Sequence, residues 1–160
     1  MQLSGEQNTA INDEIKRCTS LNNYDDRSQL VVRLFDTTVY MLRIQLYCVQ
    51  PWNNNNLHEQ DSSCSSVHYL GVWIDLNNDG NFDETRERFL HNHEINGIYD
   101  RRDYELNLFI SQIDGINYLD GPHRMRIVLV RDQNHLKPCF IDGYGEARDY
   151  TVHIIPKHYH

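Results

Sequence analysis

Val39-Tyr40-Met41-Leu42-Arg43-Ile44-Gln45-Leu46-Tyr47-Cys48 decides the fold class. Tyr40, Leu42, Ile44, Leu46 and Cys48 alternate with Val39, Met41, Arg43, Gln45 and Tyr47. A period of two puts the first set on one face of a β-strand and the second on the other. The alternation returns at Tyr104, Leu106, Leu108 and Ile110, at Met125, Ile127 and Leu129, and at Tyr150, Val152 and Ile154. Shorter strand candidates cover residues 11–21, 29–35, 67–75 and 87–91. Turn pairs such as Asn22-Asn23, Asp79-Gly80, Asn96-Gly97, Asp114-Gly115 and Asp142-Gly143 separate them. No helix-start signal precedes a long periodic run, and only residues 12–17 read as a helical turn. About eight strands at this spacing predict an all-β fold, a two-sheet antiparallel β-sandwich of jelly-roll type.

The chain has 160 residues, enough for one domain with a substantial core. Lys and Arg number 15 against 23 Asp and Glu, a formal charge of −8 that repels phosphate backbones and argues against a nucleic-acid partner. No apolar run approaches the roughly 20 residues of a membrane helix. Met1-Gln2-Leu3-Ser4-Gly5-Glu6 is too polar for a signal peptide, which a mature secreted chain has already lost. The acidic surface suits an extracellular protein that concentrates divalent cations. The expected division is an N-terminal segment over 1–10, a sandwich over 11–155 and a C-terminal tail over 156–160, with the ends either reaching a neighbouring copy or folding back on their own sandwich.

Asp75-Leu76-Asn77-Asn78-Asp79-Gly80-Asn81-Phe82-Asp83 interrupts the apolar run Val72-Trp73-Ile74. Oxygen-bearing side chains recur at every second position, and Gly80 permits a sharp turn. Calcium takes about six to eight oxygen ligands, which such a loop supplies. The expected ligands are Asp75, Asn77, Asp79, the Asn81 carbonyl, Asp83 and Glu87. An EF-hand is excluded, because the position that needs its closing Glu holds Arg86. The bland alternative is a polar turn, for which Asn, Asp and Gly are the usual residues.

Gly145-Glu146-Ala147-Arg148-Asp149-Tyr150-Thr151-Val152 stands near the C-terminus. Together with the oxygen-rich loop it resembles the GEVED domain, a module of secreted and surface proteins. That family closes on a G-E-x-x-D-Y-T-V strand and carries an I-D-x-N-x-D-G-x-F-D loop followed by a Glu. Arg124-Met125-Arg126-Ile127 and Pro138-Cys139 are similar to its R-M-R strand and its P-C pair. The resemblance implies a β-sandwich more than any activity, and marks Gly145, Glu146, Asp149 and Tyr150 as motif residues, with Tyr150 in the core and Glu146 bonded to a neighbouring loop, assisting the ion, or solvated. Ala147-Arg148 stands where the family has Val-Glu, so one acid is lost.

Cys18, Cys48, Cys64 and Cys139 have no zinc spacing. An even count in an extracellular-looking β domain suggests disulfides, with three pairings open. A Cys48–Cys64 bridge would close the polar loop between them and add roughly 3 kcal/mol, leaving Cys18 with Cys139. Buried free thiols are the alternative. Trp52 lies in the same polar loop and is the candidate for an exposed sugar contact. His91, His93, His158 and His160 lack identifiable further metal ligands and read as surface residues. No nucleophile, phosphate-loop or metalloprotease motif occurs, so catalysis is not expected. The expected role is an extracellular calcium-binding structural module that associates with copies of itself in a fibre or adhesive assembly. The alternative is a carbohydrate-binding accessory module.

Overall fold

The computed structural model describes residues 1–14, 23–46, 67–96, 103–113, 118, 120–139 and 145–157. The described strands are β1 (Gln2–Ser4), β2 (Ala10–Asn12), β3 (Tyr24–Phe35), β4 (Thr38–Gln45), β5 (Val67–Ile74), β6 (Arg88–Asn96), β7 (Asp103–Ile110), β8 (Pro122–Val130) and β9 (Gly145–Ile155). They form a four-stranded sheet in the order β2-β1-β4-β7 and a five-stranded sheet in the order β3-β9-β8-β5-β6. The fold is an all-β sandwich. Among the described residues no helix is long and apolar enough to cross a membrane.

Alternation does what period two demands. Tyr40, Leu42 and Ile44 of β4 are buried against Leu106, Leu108 and Ile110 of β7, while Val39, Met41 and Phe109 point outward. Met125 and Ile127 of β8 and Tyr150, Val152 and Ile154 of β9 close the core from the other sheet. Each fully buried Leu or Ile contributes roughly 1.5–3 kcal/mol relative to exposure.

Three features differ from the sequence reading. The polar N-terminal segment is part of this chain's own sheet: β1 pairs with β4 through Leu3 and Leu42, and Leu3 is 1% exposed. One apolar residue in a polar stretch gives no periodic signal, yet it fills the edge that β4 leaves open. Asn12 ends β2 rather than opening a helical turn, and residues 15–17 of that stretch lie outside those described. Last, β3 pairs with β9 in parallel, so the sandwich is not purely antiparallel.

The five-stranded sheet has a second apolar layer on its outer face. Trp73, Val128, Val130 and Ala147 lie there, covered by Leu136 and Phe82 from the loops after β8 and β5. Gly71 makes room for this layer, since a Cβ at that position would stand 2.3 Å from the Trp73 ring. Pairing also aligns one row of side chains straight across the sheet: Arg88, Trp73, Arg126, Asp149 and Asp26 are successive cross-strand partners. The row continues as contacts. Arg88 lies 5.0 Å over the Trp73 ring, and Arg126 lies 5.1 Å from Phe82 and 5.4 Å from Tyr24.

Candidate metal centre

β5 ends at Ile74 and β6 begins at Arg88, so residues 75–87 form the connection between two neighbouring antiparallel strands. Its ends are joined by the backbone, with Ile74 N–H donating to the Glu87 carbonyl at 2.8 Å. That closure brings the first and last acids of the loop, Asp75 and Glu87, to the sheet end. Each is only 3% exposed.

Both carboxylates accept from loop amides. Glu87 Oε1 accepts from Leu76 N–H at 2.9 Å, and Oε2 accepts from Asp83 N–H at 2.8 Å. Asp75 Oδ1 accepts from Asp79 N–H at 3.2 Å and Oδ2 from Gly80 N–H at 3.1 Å. The chain can wrap a carboxylate so tightly because Asn78 (φ 54°) and Gly80 (φ 86°) take left-handed conformations. Asn77 Oδ1 also accepts from Asp79 N–H, at 2.9 Å. Burial pushes the Glu87 carboxyl above its ordinary range, and the nearby Asp75 charge pushes the same way.

Asp75 and Asn77 thus share the Asp79 N–H, the Asp79 carboxylate accepts from the Asn77 side-chain amide at 3.1 Å, and Glu87 gathers the Leu76 and Asp83 amides. Asn81 and Asp83 do not join them by side chain. Asn81 is exposed and its N–H caps Asp79 Oδ1 at 2.7 Å. Asp83 turns to the following bend, where Thr85 N–H and Arg86 N–H donate to its Oδ1, and the Thr85 bonds hold its carboxyl below the usual range. Among the described residues no group of three or more His, Cys, Asp or Glu side chains stands in metal-holding geometry. The donor chemistry is all oxygen, which fits a hard cation such as calcium and no thiophilic metal. In this arrangement the carboxylate oxygens accept from loop N–H groups, and with about four lone-pair sites each carboxylate keeps acceptor capacity for a cation.

The loop is anchored from outside by His123, which is buried and whose Nδ1 lies 3.0 Å from the Asp75 carbonyl. Its ring stacks at a tilt on Tyr118. Sequence reasoning missed His123, because one polar residue in an apolar strand carries no spacing signal.

The closing strand distributes its motif residues over two faces. Tyr150 enters the core and donates to Asp13 Oδ2 at 2.8 Å. Asp149 faces the other way, as alternation requires, yet it too is buried and accepts from Arg126 twice and from Tyr24. Glu146 pairs with Arg148, which also reaches Asp13 at 3.1 Å. Glu146 sits opposite Leu129, whereas Ile74, the last strand residue before the loop, sits opposite Met125. Four residues at roughly 3.3 Å each separate these positions, so Glu146 does not assist the loop. Gly145 opens β9. Cys139 is exposed and is the one cysteine among the described residues. Cys18, Cys48, Cys64 and Trp52 lie outside them, and with them both disulfide pairings and the expected sugar contact. His91 and His93 stand on β6 at exposed and half-buried positions, and His158 and His160 lie outside the described residues.

The chain matches no curated protein. The family model of the GEVED domain matches residues 69–153, from β5 through the loop and the Arg126–Asp149 pair to β9, and covers more than half of the 160 residues. A chain with that span of the domain, folded as a β-sandwich, belongs to the GEVED domain family.

Proposed function

We propose that this protein is a calcium-stabilised β-sandwich module that works outside the cell in a structural or adhesive role. The observation that carries the reading is the pair Asp75 and Glu87, two acids buried to 3% exposure at one sheet end. Burying like charges together is costly, and beyond the loop amides that already bond them a cation would offset that cost further. A calcium ion would take Asp75, Asn77, Asp79 and Glu87 as oxygen ligands and neutralise the pair. Bound only by the folded loop, it would raise stability by mass action. The closed β5–β6 connection gives the ion a rigid seat, which suits a module that must hold its shape.

Leu3 and Ile154 are buried inside their own chain, so association through the terminal segments would exchange these elements between copies. The reading is tested by terbium titration with excitation at Trp73, which immediately precedes Ile74 and the loop, and by melting curves with calcium or chelator. Sensitised terbium emission displaced by calcium, with a melting temperature that calcium raises, supports it. A melting temperature indifferent to both, with no sensitised emission, overturns it.

A further inference from the structure

A second site lies beside the loop, on the outer face of the five-stranded sheet. It is a groove of about 460 Å³, within the roughly 300–1,000 Å³ typical of small-ligand sites. One wall is a bulge in β3. Asp26 and Val31 pair with Asp149 and Thr151 of β9, so four residues of β3 (27–30) stand against one of β9. Bulges of this kind re-aim side chains and cluster at functional sites. The opposite wall is the loop tip with Asn78 and Gly80, and the floor is Arg124 and Thr151, cross-strand partners on β8 and β9.

The lining is specific in its chemistry. Both Asp149 oxygens are taken, by Arg126 at 2.6 and 2.7 Å and by Tyr24 at 2.9 Å. Arg124 therefore remains 3.8 Å from Asp149, beyond hydrogen-bond distance, with half its side chain exposed. Asp26 offers an exposed carboxylate, held in place by Ser28 N–H at 2.9 Å. The Thr151 hydroxyl donates to the Ser28 carbonyl at 2.7 Å and keeps its lone pairs for a ligand. Tyr24 presents a ring at the rim that is 40% exposed and fixed by its hydroxyl bond to Asp149.

A guanidinium and a carboxylate set against each other favour neither a free anion nor a free cation. Asp26, Asp75 and Asp149 in the walls disfavour phosphate or sulfate further. What fits is a neutral ligand with neighbouring hydroxyls that donate to Asp26 and accept from Arg124, and with an apolar face for the Tyr24 ring. We infer that this groove binds a neutral carbohydrate.

The test is an array of neutral cello-, chito-, xylo-, manno- and galacto-oligosaccharides, followed by calorimetric titration with any retained sugar. Arg124→Ala and Asp26→Ala should each weaken that binding about tenfold or more, with melting temperatures unchanged. Retention of no neutral sugar overturns the proposal. So does a sugar lost with Trp52→Ala but kept in Arg124→Ala, or retention confined to anionic glycans and abolished by salt. Calcium binding is read separately, by the melting shift, so each reading can fail without the other.

Discussion

Arg126 and Asp149 face each other directly across β8 and β9 and meet through two hydrogen bonds, at 2.6 and 2.7 Å. The guanidinium is also held by the Pro138 carbonyl at 2.9 Å and lies between the rings of Phe82 and Tyr24. This pair links the strand pairing to the two loops that cover the outer face. Asp149→Ala should cost about 3–5 kcal/mol, because it strands a buried guanidinium. Replacing both partners with Leu or Met should recover most of that loss. Urea unfolding of the two single variants and the double variant measures the coupling; additive losses would refute the pair as a unit.

Ligand and scaffold roles in the loop separate by burial. Asp79 is exposed, so Asp79→Ala should leave calcium-free stability within about 0.5 kcal/mol while reducing the calcium-dependent melting shift. Glu87→Ala orphans the Leu76 and Asp83 amides and should destabilise the calcium-free protein by about 1–3 kcal/mol for each. It should also abolish the shift. Thermal scans with and without calcium check both variants.

Leu3→Ala should destabilise the fold by about 2–5 kcal/mol, since its side chain is 1% exposed between β2 and β4. Deleting residues 1–9 should do more. A truncated chain that melts like the full one would contradict the intrachain pairing of β1.

Tyr40 donates its hydroxyl proton to Glu6 at 2.8 Å and accepts from Phe35 N–H at 2.7 Å. Burial, then the Glu6 carboxylate, pushes its pKa from 10.0 up to about 12. A phenol whose folded pKa is raised stabilises fully below the unfolded value and ceases to do so as pH passes through the folded one. Stability should therefore decline between pH 10 and about 12. In Tyr40→Phe that part of the decline should vanish, as denaturation at several alkaline pH values would reveal.

Gly71→Ala forces a Cβ to within 2.3 Å of the Trp73 ring. The indole must shift on the sheet, at about 1–3 kcal/mol. A change in Trp73 fluorescence together with a lowered melting temperature is expected. An unchanged spectrum would mean that the outer layer is not packed as described.

The sequence by itself determined which faces are buried and where the chemistry concentrates. Tyr40, Leu42 and Ile44 had to share a face, as did Tyr150, Val152 and Ile154, because period two is a property of one strand alone. The Asp75–Asp83 spacing likewise marked the loop without reference to its neighbours. Tertiary structure decided the rest, because it depends on which strands meet and in what register. Asp149 reads in sequence as a motif acid beside a core tyrosine; its partner Arg126 lies on another strand, and Asp26 joins the same row from the far side of the chain. Leu3 looked like part of a tail until the open edge of β4 gave it somewhere to go. Glu87 shows only its charge in the sequence; its burial beside Asp75 follows once β5 and β6 pair and close the loop between them.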